Sequence, residues 1–372
     1  MSNEVFLYVI IKYMELFINR DKLHYSFRRI DSYNKPINIV ISSREPGKTT
    51  NAWLDKCYKP FKLLGMAGIY ILRQVTEITE AVIEDIENEI NKFLPEDKQI
   101  HFTYKKTFLN GYQDIYVDDK LFFRIVALSI KMTRLKKMKV RGCGWMLFDE
   151  FIIDPRTQEH YLPNEAMRIK ELYTTNNRTS FYPDKPIKMY FLGNPYSLFN
   201  PLFVDLGVDT SKLKIGEILV GNNYVIDFYK MKPELREFIL KKNPFYQFDE
   251  DYKGYAVDGK PINDVGLKIA NKVPPGFRLR FSIRIASKNL GVFETSDYIY
   301  ADWYYVSEIA DNYGSNKDKY SFDFKDLVEG TSLFSPQDKV FMSLFKKAIQ
   351  KRKVSYSSVS VAYYIQEIYN YI

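Results

Sequence analysis

The sequence is poor in the residues that build metal sites and covalent staples. It has two cysteines, Cys57 and Cys143, and three histidines, His24, His101 and His160. Neither set has the short spacings of a zinc site, and two distant cysteines do not make a disulfide framework. Such a chain fits a reducing compartment. Long apolar runs are also lacking. The most apolar early stretch, residues 5–11, is broken by Lys12 and Glu15 and is too short to span a bilayer. It has no basic start and no small-residue cleavage site, so neither a signal nor a membrane route is expected. It reads as an amphipathic helix. Internal repeats and low-complexity tails are missing too.

What is present is a chain of 372 residues, 46% hydrophobic and 27% charged, ordinary for a globular protein. That length predicts two domains. The net charge of +8 suits a polyanionic partner. The abundance of Lys, Asn, Ile, Tyr and Phe, expected of any AT-rich genome, gives a similar excess. The position of the charges must decide between the two.

Residues 37–43, Ile-Asn-Ile-Val-Ile-Ser-Ser, are β-branched and apolar. They read as a buried strand, with a helix following over 48–56. An apolar run at 68–72 precedes a helix at 76–93, whose stripe is Ile78, Val82, Ile83, Ile86, Ile90 and Phe93. Short strands are predicted at 102–104, 115–117 and 121–127, the last two joined by a turn at 118–120. A strand at 144–148, a helix over 163–173 and a strand at 188–192 complete an α/β alternation. The alternation predicts a mainly parallel sheet covered on both faces. Beyond 215, strand-like runs at 218–231, 277–285, 289–293 and 298–306 precede helices at 336–351 and 359–372, which reads as a separate, smaller α+β unit.

Chemistry concentrates in Ser42-Ser43-Arg44-Glu45-Pro46-Gly47-Lys48-Thr49. This is a P-loop, G-x-x-x-x-G-K-[ST], with Ser42 in place of the first glycine. A buried strand runs into it and a helix leaves it, as phosphate binding requires. Lys48 would reach the β and γ phosphates of ATP, and the Thr49 hydroxyl would bind Mg²⁺. Ser43, Arg44, Glu45, Pro46, Gly47 and Thr50 complete the candidate nucleotide-binding set. Two departures have consequences. Glu45 places a carboxylate in a phosphate loop and is expected to face outward, paired with a neighbour. Pro46 removes one N–H donor.

The partner motif is Phe148-Asp149-Glu150, an apolar strand ending in two acids. Acids there sit at the carboxyl edge of the sheet, where ligands bind in open α/β folds. Asp149 is the second Mg²⁺ candidate, and Glu150 would polarise the attacking water. The pair favours P-loop ATPases that carry their own catalytic glutamate. The separation of Lys48 and Asp149 leaves room for an extra strand between the motifs. Asn194, at the end of the next strand, either senses the γ phosphate or caps a turn with Pro195. A cation must also meet the γ phosphate. Arg178, in an exposed loop, is either that group or a surface arginine. Arg44 and Arg73 are further candidates.

Residues 131–141 carry Lys131, Arg134, Lys136, Lys137, Lys139 and Arg141 with no acid among them. They read either as a solvated face or as a segment that grips phosphates without regard to sequence. A second basic cluster is Lys346, Lys347, Lys351, Arg352 and Lys353.

Together these features resemble the DNA-packaging ATPases of the phi twenty-nine-like tailed phages, within the ASCE, FtsK/HerA-like P-loop class. The matching residues are Ser43-Arg44 and Gly47-Lys48, Phe148-Asp149-Glu150-Phe151-Ile152, Pro163-Asn164-Glu165 with Tyr161, Asn176-Asn177-Arg178, Leu192 with Asn194, and Asn200-Pro201 with Phe203. Phe281-Ser282-Ile283 and Leu290-Gly291-Val292 are similar to that family's vestigial nuclease-like part.

The resemblance implies a homo-oligomeric, pentameric ring at the capsid portal in the host cytoplasm, driving double-stranded DNA inward on ATP hydrolysis. A scaffold RNA is a further implied partner. It implies Arg178 as a trans-acting finger and 131–141 as the DNA-facing loop. It also implies an RNase H-like C-terminal domain; Asp297 and Asp302 make no three-carboxylate set, so no nuclease activity is expected. The expected organisation is an N-terminal extension at 1–20, a P-loop ATPase domain at 21–215, a linker at 216–275 and the RNase H-like domain at 276–372. Two other functions remain open from the residues: a P-loop module that binds nucleotide without turnover, and a helicase-type translocase or headful-type terminase.

Overall fold

The computed structural model describes residues 23–365 apart from 106–109, 155–158, 160, 197, 199, 209, 261–267, 271, 286–287, 296–302, 312, 315–316, 322–327, 334–338, 351–352, 359–360 and 363. The early apolar stretch and most of the helix expected at 359–372 lie outside the described residues. The chain divides into two units, one of Met1–Ser197 with Ser211–Ile262, the other of Leu198–Thr210 with Asn263–Ile372.

The first unit is built on eight strands: β1 Ile37–Ser42, β2 Ala67–Leu72, β3 Tyr112–Val117, β4 Lys120–Ala127, β5 Cys143–Asp149, β6 Lys188–Gly193, β7 Ile218–Val220 and β8 Tyr224–Tyr229. Their order is β3-β4-β2-β5-β6-β1-β8-β7. The six strands from β4 to β8 run parallel, and β3 and β7 close the edges antiparallel. β2 is buried along its whole length, as a strand covered on both faces must be. β3 buries alternate residues, as an edge strand does. Asp118 and Asp119 both adopt positive φ, which the two-residue turn between β3 and β4 demands.

Several elements differ from expectation. The strand-like run at 218–231, expected outside the first domain, supplies β7 and β8 of the first unit, and β8 pairs with β1 next to the edge strand β7. Asp227 is a charged residue within β8. Its carboxylate is buried and accepts two hydrogen bonds from Arg29, at 2.8 and 3.2 Å. Helices Pro233–Lys242 and Glu250–Ala256 follow in the same unit. The strand expected at 102–104 is a single bridge, Thr103 to Tyr116. The helix expected at 76–93 is a 3₁₀ turn, Val75–Glu77, and then a helix, Glu80–Asn91, whose start is capped by the Thr79 hydroxyl. The helix after the P-loop runs past Lys56, through a π turn at Trp53–Tyr58, to Lys59–Leu64. Pro60 is tolerated because it stands in the first turn of that last piece.

Aromatic rings fill the core between helix and sheet. Trp53 packs edge-on against Tyr70 and Trp145, and Phe122 and Phe123 join them. A Cβ at Gly68 would stand 2.0 Å from Cε2 of Trp145. Gly68→Ala is therefore expected to destabilise the fold by about 1–3 kcal/mol, the usual cost of overpacking. Denaturant unfolding monitored by tryptophan fluorescence measures it, and an unchanged midpoint would show that Trp145 moves aside freely.

The second unit carries β9 Lys268–Ile269, β10 Phe277–Ile285, β11 Lys288–Thr295, β12 Tyr304–Ile309, β13 Lys319–Ser321, β14 Ser332–Leu333 and β15 Val354–Tyr356. Their order is β14-β13-β10-β11-β12-β15-β9. β10, β11 and β12 form an antiparallel meander, and β13 and β14 extend it in parallel. Helix Lys339–Gln350 contributes Met342, Phe345 and Ala348 to a core with Phe281, Leu290 and Val306. Among the described residues, no helix is long and apolar enough to cross a membrane.

Candidate functional site

β1 delivers the chain into the P-loop, and helix Lys48–Ala52 leaves it. Two left-handed residues curl the loop, Glu45 at φ 66° and Gly47 at φ 79°. Gly47 is required twice over. Its backbone is left-handed, and a Cβ there would meet the His24 ring at 3.0 Å. The segment before β1 grips the loop from one side: the Tyr25 amide donates to the Pro46 carbonyl at 2.8 Å, and the Asn51 side chain donates to the Tyr25 carbonyl. Residues after β8 hold it from another, because the Arg44 amide donates to the Ala256 carbonyl at 2.9 Å.

The side chains of the loop are individually placed. Glu45 is exposed and accepts a hydrogen bond from the Tyr246 hydroxyl at 3.2 Å. Burial, and then the Glu45 carboxylate, push the Tyr246 phenol up to about 12, so it stays a donor. Arg44 donates from Nε and Nη2 to the Tyr196 hydroxyl, at 3.2 and 2.7 Å. The Thr50 hydroxyl donates to Glu89. Ser43 is buried, and its hydroxyl has no hydrogen-bond partner among the described residues. A buried hydroxyl needs a partner, and a group entering this loop would supply one.

Lys48 is buried at the centre. Its ammonium donates to Asn194 Oδ1 at 2.6 Å and to the Ser43 carbonyl at 3.4 Å. Asn194 therefore does more than cap a turn, since it holds the lysine from the end of β6. Burial lowers the Lys48 ammonium to about 8, against the pull of Asp149 and Glu150. β6 follows β5 in the chain yet lies between β1 and β5 in the sheet, while the chain between Lys48 and Asp149 supplies β2, β3 and β4.

β5 ends on Asp149, and Glu150 turns out of it at φ 54°. Desolvation raises the Asp149 carboxyl, while Lys48 and a hydrogen bond with Thr49 draw it back. The Glu150 carboxyl is raised by desolvation and then by the Asp149 charge beside it. Two oxygen groups, Thr49 and Asp149, thus meet beside the buried lysine, the donor set that a hard divalent cation takes.

Arg73, a candidate finger by sequence, is committed within its own chain. It is buried and makes a two-pronged pair with Glu165, 3.0 Å from Nε and 3.1 Å from Nη2. It also donates to the Phe151 carbonyl at 3.0 Å and the Glu150 carbonyl at 3.4 Å. Arg73 therefore holds the backbone of Glu150 in its left-handed turn. Glu165 opens helix Glu165–Asn177, and Arg178 stands exposed at the other end. The six cations of 131–141 are all exposed, whereas Leu135, Met138 and Val140 between them are buried. Lys136 pairs with Glu171 at 3.1 Å.

Residues 20–368 match the family described as Podovirus DNA encapsidation protein (Gp16). The chain belongs to that family. The fold agrees with it. The Phi-28 gp11 DNA packaging motor has a TM-score of 0.65 at 17% identity, over 94% of this chain and 98% of that one. The bacteriophage Phi-29 viral genome packaging motor assembly has a TM-score of 0.63 at 20% identity, over 94% and 99%. No protein of curated function matches the sequence.

For this encapsidation protein, sequence reasoning placed Lys48, Thr49, Asp149, Glu150 and Asn194 as candidates, and the fold brings all five to adjoining strand ends. It missed His24 and Tyr25, which follow no motif, and Tyr196 and Tyr246, tyrosines in a tyrosine-rich chain. Asn176 was visible only as part of a motif, without a reason for its type.

Proposed function

We propose that the chain is a ring-forming ATPase that drives double-stranded DNA into a preformed capsid. The observation that carries this is the convergence of Lys48, Thr49, Asp149, Glu150 and Asn194 at the carboxyl ends of β1, β5 and β6. Gly47 and Lys48 open the helix, so their backbone N–H groups face an incoming phosphate. Ser43 offers its hydroxyl, and Lys48 exchanges Asn194 for the terminal phosphates. Thr49 and Asp149 fit Mg²⁺, which when bound neutralises charge on the β and γ phosphates. Glu150 takes the proton of the attacking water. Arg44, held by Tyr196, adds positive charge beside the lysine. Arg178 reaches the γ phosphate of a neighbouring subunit.

In this reading the exposed cations of 131–141 face the DNA backbone, and the ring, a pentamer, sits on the portal with a scaffold RNA as an additional partner. The protein acts in the host cytoplasm at the capsid. The order β12-β11-β10-β13-β14 supports an RNase H-like second unit, with β10–β12 antiparallel and β13 and β14 parallel. Asp297 and Asp302 lie outside the described residues. The test is ATP hydrolysis by the full chain, with and without double-stranded DNA and portal-bearing capsids. Hydrolysis that rises with DNA and accompanies DNA uptake is expected. Nucleotide binding without turnover under every condition sinks the motor reading in favour of a binding module.

Lys48 gives the reaction a pH signature. Below about 8 the free protein carries a charged Lys48, and above it the lysine is progressively neutral. Capture of ATP should weaken accordingly, so kcat/KM is expected to fall as pH rises through about 8. The polyanionic substrate favours the charged lysine, so the fall in kcat should come at higher pH. A kcat/KM profile flat through that range would show that Lys48 keeps its proton by other means.

A further inference from the structure

The basic segment and the helix that leads to Arg178 are joined by one buried side chain. Asn176 lies fully buried in the last turn of Glu165–Asn177. Its Oδ1 accepts the Val140 amide at 2.7 Å. Its Nδ2 donates to the Met138 carbonyl and to the Leu172 carbonyl, each at 2.9 Å. Both amide protons and the carbonyl are used, two bonds toward the basic segment and one toward the helix. Three contacts reinforce the joint. The Thr175 hydroxyl donates to the Lys136 carbonyl at 3.3 Å, the Gly142 amide donates to the Thr179 carbonyl at 3.3 Å, and Lys136 pairs with Glu171.

The consequence is mechanical. Met138 and Val140 are buried and bonded through their backbone to Asn176, while Lys137, Lys139 and Arg141 are exposed between and beside them. The segment cannot move alone without stripping the Val140 amide and the Met138 carbonyl of their partner, and buried groups left unpaired are costly. A displacement imposed on its cations is therefore passed to the helix end. Arg178 is two residues from Asn176 and next to Thr179, which bonds Gly142.

We infer that Asn176 is a positioning residue that makes the basic segment and Arg178 one body, so that DNA held by a subunit sets the arginine which that subunit offers its neighbour. This rests on the proposed function and adds to it the route by which DNA stimulates hydrolysis.

The test uses the full chain assembled on portal-bearing capsids. Asn176→Asp keeps the acceptor for Val140 and loses both donors. The part of kcat that DNA adds is expected to fall about fivefold or more, a coupling of ordinary size. The rate without DNA, KM for ATP and DNA affinity should stay within about twofold, because no group that touches either ligand is changed. Should Asn176→Asp fail to fold, Thr175→Val reads the same coupling from a half-buried site. It should lower the DNA-dependent part by about twofold or more, the worth of one hydrogen bond. Wild-type stimulation in a folded Asn176→Asp chain, or in Thr175→Val, overturns the inference. So does an equal loss of the DNA-independent rate, which would make Asn176 merely structural. A wild-type chain that hydrolyses ATP without any response to DNA sinks the packaging reading, and the coupling with it; failure in the variants alone sinks only the coupling.

Discussion

Glu150→Gln is expected to lower ATP hydrolysis by about 10² to 10⁴-fold, the range for loss of a general base, while ATP still binds. Glutamine keeps the size of the side chain and removes its basicity. The backbone that aims it should survive, because it is fixed from outside the side chain. The Glu150 amide donates to Asp149 at 2.9 Å, and Arg73 holds the carbonyl. The carboxyl is also the right kind of base. Desolvation and the adjoining Asp149 raise it above the ordinary carboxylate range, which brings it nearer the proton it must accept. Single-turnover hydrolysis, with nucleotide affinity measured separately, checks both halves. A rate within a few-fold of wild type would remove Glu150 from the chemistry. A loss of affinity equal to the loss of rate would mean that it binds nucleotide instead.

The parts of this site that could be read from the chain are those whose chemistry is local. A β-branched run before Gly47-Lys48-Thr49 and an apolar run before Asp149-Glu150 each state a strand and what hangs from its end. Their juxtaposition also follows, because parallel strands put their carboxyl ends on one edge. Glu45, an anomaly in a phosphate loop, was expected to face outward with a partner, and it accepts from Tyr246. The identity of that partner was not legible, since it lies 201 residues away.

The same distance hides the rest. Arg73 and Glu165 are separated by 92 residues, and each alone looks like a surface charge. Only the fold shows that they are buried and paired. β8 lies in a run read as strand-like, but its place beside β1 in the first sheet was not legible, and Asp227 within it is a buried carboxylate that Arg29 neutralises. Burial of a charge is visible to a reader of sequence only when its partner is known. Hence the run at 218–231 was legible as strand but not as part of the first sheet, and two helices of the same unit occupy residues expected as linker.

These buried pairs bear on the arginine that completes the site. Arg73 is locked onto Glu165 and Arg44 rests on Tyr196, so two of the three candidates are already engaged within their own subunit. Arg178 is exposed, and its guanidinium has no hydrogen-bond or ion-pair partner among the described residues. Arg178→Ala is therefore expected to cost assembled rings about 10³ to 10⁵-fold in hydrolysis, the worth of an arginine finger, with ATP affinity of the isolated chain little changed. The decisive measurement is mixing. Rings of Arg178→Ala alone should be inactive, as should rings of Glu150→Gln alone. In a mixed ring, a Glu150→Gln subunit still offers Arg178 to a neighbour whose Glu150 is intact, and hydrolysis should return. An arginine that served its own subunit could give no such recovery, because no subunit in the mixture carries both groups. Mixed rings as inactive as the parents would therefore place Arg178 in cis, and the coupling through Asn176 would then act within one subunit rather than between two.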